Sequence, residues 1–263
     1  MQTVDKAMKI LGLFSTKRPE IGLSELSRLA KIDKAGTRRL LVALQKHAFI
    51  EQNLETRDYR LGIGFLQLAR IREATSPMVS IVEPILHKLT QVTEETAHAS
   101  LSAGTDNSMM SIGISPSTRV IRVHLQDDEP LPIHATASGI GYLAFSSEER
   151  FAELIGDELE AYTSTTVRTV SDLKKELAAT RERGYAISNQ GYENEVYGIA
   201  APFFDALGAP LGSVAVASPT SRMDPQRERD IAKLVIAAAQ EATQALGGTL
   251  GVEFATVNSE HLS

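Results

Sequence analysis

The sequence predicts an α+β protein, with a small helical domain at the N terminus and a larger domain built on an antiparallel sheet. Two observations predict this division. Apolar residues recur at spacings of three and four in the first 47 residues, and they alternate in strand-like segments from residue 97 onward. Residues 1–72 carry 14 Lys and Arg against seven Asp and Glu, whereas residues 73–263 carry 13 against 26. A basic domain beside an acidic one suggests that only the first meets a polyanion.

Composition excludes several classes of protein. The chain has 263 residues, 43% of them hydrophobic and 23% charged, which is ordinary for one or two globular domains. It has no cysteine, so we expect no disulfide framework, thiolate zinc site, iron–sulfur cluster or cysteine nucleophile. No apolar run approaches ~18 residues and the start lacks a secretory signal. We therefore expect a cytoplasmic protein with no membrane partner.

Three helices are predicted at the N terminus, over Val4–Phe14, over Leu23–Ala30 and from an N-cap at Asp33 to about His47. The last two are joined by only two residues, and the third helix opens with polar and basic side chains. This arrangement is typical of a helix-turn-helix, in which the second helix of the pair enters the major groove of DNA. Other small helical bundles share the pattern.

A β-hairpin follows directly, with strands at Phe49–Gln52 and Tyr59–Gly62 around a polar turn. A hairpin at this place makes a winged helix-turn-helix. We expect DNA contacts from the helix starts, where amides and cations favour phosphate, and from the wing. The candidates are Ser24, Lys34, Thr37, Arg38, Arg39, Arg57 and Arg60. Simple solvation of the two wing arginines is the alternative.

Further helices and alternating segments predict the second domain. Residues 61–72 and 77–95 have helical apolar spacing. Strands are expected at Ala97–Ala103, Ser108–Ser115, Thr118–Leu125, Tyr185–Gln190, Val196–Phe204 and Gly212–Ser218, and helices at Gly139–Phe145, Glu148–Ile155, Val170–Arg183 and Asp224–Leu246. On the third strand Arg122 and His124 would point the same way and could pair with a carboxylate, although a solvated sheet face fits as well.

Residues 134–141 predict a ligand-binding helix start. His134, Thr136 and Ser138 stand beside Gly139 and Gly141 where a loop turns into a helix. Amides at a helix N terminus bind anions, and small residues let a ligand approach the backbone. A capped helix start with a surface histidine would give the same pattern, and the residues alone leave both open.

The sequence contains no motif typical of an enzyme. The six histidines show no metal-binding spacing, and there is no G-x-S-x-G elbow and no phosphate-binding G-x-x-x-x-G-K-[ST] loop. We therefore expect no metal and no cofactor, and an enzyme is only a second hypothesis. A third is an architectural DNA-binding protein without a ligand, but its larger domain would not be expected to carry a net charge of −13.

The sequence resembles the IclR family of bacterial transcription regulators in several blocks, which run in order over residues 4–247. The blocks are Val4–Ala7, Leu23–Leu26, Lys34, Arg39–Leu41, Tyr59–Gly62, Leu131–Gly139, Arg183–Ala186, Ile199–Asp205 and Gly212–Val216. One departure concerns the third helix, where the family usually has Pro-Lys-Ser-Thr-Val and this chain has Asp33-Lys34-Ala35-Gly36-Thr37. Two hydroxyls are thereby lost, and Gly36 weakens the first turn by up to ~1 kcal/mol.

The resemblance implies a domain plan and two partners. It implies a winged helix-turn-helix over residues 1–62, a linker helix over 63–76, a GAF-like effector-binding domain over 77–248 and a flexible tail over 249–263. The partners would be double-stranded operator DNA, bound by a homodimer or homotetramer, and a small organic acid.

The resemblance also implies which residues form the effector pocket. They are His134, Thr136, Ser138, Gly139, Ser188, Asn189, Gly198, Ala215 and Ala217. Because positions 198, 215 and 217 are small and apolar here, that wall is expected to accept a bulky or aromatic group. Core packing of a strand is the alternative for these three.

Overall fold

The structure is a computed structural model that describes residues 3–102, 104, 107–126 and 129–261. The chain divides into two compact units, residues 1–77 and residues 78–263. Each unit is built around apolar clusters of its own. We call them the N-terminal unit and the C-terminal unit.

The N-terminal unit contains the predicted winged helix-turn-helix. Its apolar core is formed by residues such as Ile10, Leu26, Leu41 and Ile50, which are buried completely or nearly so. The antiparallel wing pairs Ile50 with Leu61. The elements are α1 (Thr3–Leu11), α2 (Leu23–Ala30), α3 (Lys34–Lys46), β1 (Ile50–Gln52), β2 (Tyr59–Leu61) and α4 (Gly64–Thr75).

A six-stranded antiparallel sheet forms the centre of the C-terminal unit. The strands lie in the order β5-β4-β3-β8-β7-β6, and small or β-branched residues fill the central positions. They are β3 (Thr96–Ser102), β4 (Ser108–Ser115), β5 (Leu131–Pro132), β6 (Ala186–Asn189), β7 (Val196–Phe204) and β8 (Pro210–Pro219). The α+β class predicted from the sequence is confirmed.

Helices cover both faces of this sheet. One apolar cluster joins α5 and α9 to one face, and α6 packs on the other face with α7 and α8 behind it. The helices are α5 (Met78–Thr93), α6 (Ala137–Ala144), α7 (Glu148–Leu154), α8 (Val170–Arg183), α9 (Pro225–Ala245) and α10 (Val252–His261). Because α6 lies over β7 and β8, its N terminus is brought to the small residues of those strands.

The strand predicted over Thr118–Leu125 is wrong, because this segment forms a loop. Its backbone is held by side chains instead of a ladder: Thr96 Oγ1 donates to the carbonyl of Val123 (2.9 Å), and Arg222 donates to that of Ile121 (3.1 Å). The edge position beside β4 belongs to the short β5, which pairs Pro132 with Ser108. The predicted shared sheet face of Arg122 and His124 therefore does not exist.

The C-terminal residues differ from the flexible tail that was expected over 249–263. They include α10, whose Phe254 is completely buried. The Phe254 ring lies 5.3 Å from the ring centroids of both Phe145 and Phe204. Gly251 packs on the Phe204 ring, so the chain can turn into α10 close to the core. The segment is thus part of the packed C-terminal unit.

Candidate functional site

A cleft lined by three basic and three acidic side chains lies between the N-terminal ends of α2 and α3 and the wing. It has a volume of about 560 Å³, and four of the predicted DNA-contacting residues line it together: Ser24, Lys34, Arg38 and Arg57. We call it the recognition cleft. Arg39 is exposed on the same helix but does not line the cleft. The structure thus brings residues from three separated segments to one surface.

The turn before α3 fixes the direction of the cleft-lining side chains. Lys31 takes a left-handed conformation (φ 55°) that ends α2, and Asp33 accepts a hydrogen bond from the amide of Gly36 at 2.8 Å. This hydrogen bond and the charge of Arg39 hold the pKa of Asp33 below its usual value. Since the cap starts the helix at Lys34, Lys34 and Arg38 stand one turn apart on an exposed face.

Thr37, which was predicted to contact DNA, is not brought to the recognition cleft. Thr37 is completely buried, and its hydroxyl donates to the carbonyl of Asp33 at 3.0 Å. It lies one helical turn before Leu41, which is also completely buried. That four-residue spacing from an inward-facing leucine is the signal that could have placed Thr37 in the core.

The two wing arginines are in different environments. Arg57 is exposed in the turn of the hairpin, with a positive φ of 65°. Arg60 forms ion pairs with Glu51 (3.2 Å) and Glu20 (3.6 Å). Two carboxylates already balance much of the charge of Arg60, so Arg57 is the better placed of the two to meet an anion.

A cavity in the C-terminal unit lies where the N terminus of α6 meets β3, β7 and β8. We call it the α6 cavity. Its volume is about 80 Å³, several times what one water molecule needs. Six of the predicted effector-pocket residues line it: Thr136, Ser138, Ser188, Gly198, Ala215 and Ala217.

Strand register explains why there is space at this point. Gly198 pairs with Ala217 across β7 and β8, and Ala215 pairs with Ala200 on one side and His98 on the other. These residues place one face of three neighbouring strands opposite Ala137 and Ser138. Because most of these side chains are no larger than a methyl group, the sheet and α6 do not close completely.

Two hydroxyl groups at the α6 cavity already have hydrogen-bond partners. Thr136 Oγ1 donates to the carbonyl of Pro132 (2.9 Å) and accepts from the amide of Gly139 (3.2 Å), so it caps α6. Ser188 Oγ donates to the carbonyl of Ala135 (2.7 Å). The amides of Ala137 and Ser138, in contrast, precede the first internal hydrogen bonds of the helix and suit an anion.

Three predicted pocket residues lie elsewhere. His134 and Asn189 line a neighbouring cavity of about 270 Å³. His134 Nε2 forms a hydrogen bond with the carbonyl of Glu160 (2.9 Å). Gly139 is buried against the chain before α6, where a Cβ would lie 2.0 Å from the carbonyl oxygen of Ile133. Close packing, and not ligand access, thus explains why position 139 is a glycine.

Sequence reasoning missed several residues that line the α6 cavity. His98 lies among its walls, and burial lowers the pKa of this imidazole to about 4. Tyr192, Glu193 and Glu129 also line the cavity, and partial burial together with the charge of Glu129 raises the pKa of Glu193. His98, Glu129 and the pair Tyr192-Glu193 lie far apart in sequence and form no local motif. Only the alternation around His98, between the buried Ala97 and Ala99, hinted that it faces the other side of the sheet.

Among the residues that the structure describes, no three His, Asp or Glu side chains are placed to hold a metal ion together. None of the helices in this part of the chain has the length and apolar character needed to cross a membrane.

Comparisons with known proteins find matches in both units of the chain. A family model described as the IclR helix-turn-helix domain matches residues 3–54, and one described as the bacterial transcriptional regulator IclR C-terminal matches residues 74–244. The transcriptional repressor IclR of Escherichia coli K12 is 28% identical over 249 residues, covering 94% of this chain and 91% of that protein. The regulator XynR of the same organism is 28% identical over 225 residues, covering 85% and 88%.

Solved structures show the same fold. A putative IclR transcriptional regulator from Silicibacter sp. TM1040 superposes with a TM-score of 0.90 at 38% identity, covering 96% of this chain and 99% of that one. An IclR homologue from Microbacterium hydrocarbonoxydans, solved in complex with 4-hydroxybenzoate, superposes with a TM-score of 0.77 at 19% identity, covering 93% and 99%.

Proposed function

Because the chain belongs to the IclR family of bacterial transcriptional regulators, which are ligand-responsive DNA-binding proteins, we propose which surfaces carry its two binding functions. The recognition cleft and Arg39 bind an operator, and the α6 cavity binds a small organic acid. The acid then changes operator affinity through a coupling between the two sites. We place this activity in the cytoplasm, where bacterial DNA lies, and assign the protein no enzymatic activity.

The operator site rests on the grouping of exposed cations around the start of α3. Lys34 and Arg38 stand on one face of the helix, and Arg57 approaches the same cleft from the wing. A helix start that carries cations can enter the major groove while the wing meets phosphates. A homodimer, alone or within a homotetramer, would present two such clefts to a palindromic site.

Arg38→Ala is expected to weaken operator binding by ~1–3 kcal/mol if the guanidinium reads a base. Arg39→Ala should cost less if Arg39 contacts phosphate only. Lys46→Ala is the matched control, because it removes one positive charge from the last turn of the same helix. Fluorescence anisotropy measures the affinity of all three variants for the DNA upstream of the gene that encodes this protein. Equal affinity of wild type, Arg38→Ala and Arg39→Ala would contradict the assignment.

The effector site rests on the position of the α6 cavity between amides and small apolar residues. The amides of Ala137 and Ser138 would receive a carboxylate, and an apolar ring would lie against Ala215 and Ala217. The related structure from M. hydrocarbonoxydans contains 4-hydroxybenzoate, an acid of this class. We therefore propose an aromatic or similar organic acid, with 4-hydroxybenzoate as the first compound to test by thermal shift.

Ala215→Leu is expected to abolish the response to the effector while operator binding stays close to that of wild type. The larger side chain would fill the cavity, whereas the recognition cleft belongs to another unit. Ala209→Leu is the control, since it makes the same change at an exposed position between β7 and β8. Calorimetric titration of 4-hydroxybenzoate checks the loss. Unchanged effector affinity in Ala215→Leu would move the site away from this cavity.

A further inference from the structure

One buried side chain at the α6 cavity has an unused hydrogen-bonding atom. His98 is 6% exposed, and its Nε2 lies 3.0 Å from Ser138 Oγ. Its Nδ1 is buried and has no hydrogen-bond partner among the residues that the structure describes. A buried polar atom without a partner is costly and rare, so it calls for a ligand or a functional role.

The direction of the hydrogen bond to Ser138 decides which nitrogen of His98 carries the proton. Nε2 of His98 faces the Ser138 hydroxyl, and either atom could be the donor. If the hydroxyl donates to Nε2, a neutral imidazole must carry its hydrogen on Nδ1. The buried ring is neutral near pH 7 because burial keeps its pKa at about 4. Nδ1 is then a buried hydrogen-bond donor on a side chain that lines the cavity.

We propose that His98 is a specificity-determining residue that donates a hydrogen bond from Nδ1 to the carboxylate of the effector. Ser138 links the two parts of this site, because its amide belongs to the start of α6 and its hydroxyl orients the imidazole. Two amides and one neutral N–H would then surround the same acid group. The inference rests on the proposed effector site, and it narrows the effector to molecules that bring an ionised acid to His98.

Two glutamates line the same cavity and oppose an acid. Glu129 and Glu193 lie there together with His98, and partial burial, followed by the charge of Glu129, raises the pKa of Glu193. A carboxylate bound in this cavity therefore needs hydrogen-bond donors. His98 and the amides of α6 would supply them.

The first test needs no effector. In the ligand-free protein, ¹⁵N-resolved NMR at pH 7 should show His98 neutral with its hydrogen on Nδ1. The His98→Asn variant identifies the signals. A hydrogen on Nε2 would overturn the inference, because Nδ1 would then be an acceptor and would repel a carboxylate.

The second test uses benzoate, 4-hydroxybenzoate and uncharged benzamide as probes in calorimetry. His98→Leu keeps a similar volume but removes the donor, and it should weaken binding of both acids by about 10-fold to 100-fold. His98→Asn places an amide N–H near the position of Nδ1 and should recover most of that loss. His87→Leu is the control, because His87 is an exposed histidine of the same unit and does not line this cavity. Benzamide should lose less affinity than the acids, because its neutral carbonyl accepts a weaker hydrogen bond than a carboxylate does.

The outcomes separate this inference from the proposed function. If wild type and His98→Leu bind the acids equally, the inference fails while the effector site stands. If no acid binds wild-type protein, the proposed effector class fails, and the position of the hydrogen in the ligand-free protein alone supports or overturns the donor role of His98.

Discussion

Raising the salt concentration from 50 to 200 mM is expected to weaken operator binding by about 10³-fold to 10⁵-fold. Each N-terminal unit exposes Lys34, Arg38, Arg39 and Arg57 around the recognition cleft, so a dimer presents about eight cations. Each phosphate that a cation neutralises releases a counterion, which makes the logarithm of affinity fall linearly with the logarithm of salt. Anisotropy titrations over this range measure the slope.

Lys34→Ala should make that slope shallower by about 2 for a dimer, one unit for each lost phosphate contact. Arg60→Ala is an informative comparison, because its charge is already balanced by Glu20 and Glu51, and its effect on the slope should be smaller. A slope near zero for the wild-type protein would mean that Lys34, Arg38, Arg39 and Arg57 do not contact DNA phosphates.

Phe254→Ala is expected to destabilise the C-terminal unit by ~3–5 kcal/mol. The side chain is completely buried against Phe145 and Phe204. Its removal would leave a cavity beside these two rings. Urea unfolding followed by near-ultraviolet circular dichroism measures the change in the free energy of unfolding.

Val252→Ala provides the control for this experiment. Val252 begins the same helix but is 82% exposed, so its truncation should cost about 0.5 kcal/mol or less. Comparable losses in the two variants, or no loss in either, would show that α10 does not contribute to stability in the way its packing indicates.

Local signals allowed much of the N-terminal unit to be predicted. The apolar spacing of α2 and α3, the cap at Asp33 and the polar turn of the wing each lie within a few residues, and each is where the sequence placed it. Thr37 was expected on the exposed face because helical spacing defines only the centre of the apolar face, and a threonine at the edge of that face fits the buried or the exposed side. In the structure its hydroxyl is hydrogen-bonded to two backbone carbonyls in the core.

The C-terminal unit depends on contacts between distant residues, which a linear pattern does not contain. The segment 118–125 alternates like a strand, yet β4 receives β5 as its neighbour and the loop is held by Thr96 and Arg222. His98 and Ser138 are 40 residues apart in the chain and meet only because α6 packs on the sheet. Six of the pocket residues that the family resemblance implies line one cavity, whereas His98 was not among the predicted residues.

The buried position of Thr37 has a consequence for how operator preference can change over time. Its hydrogen bonds to the turn hold α3 in place from the inside, while Lys34, Ala35 and Arg38 face solvent and take no part in them. If α3 meets the operator as proposed, substitutions at those three positions would alter base recognition without disturbing the scaffold that presents them. Sequence recognition and folding would then be separable traits, and duplicated copies of such a gene would diverge toward new promoters through surface changes alone.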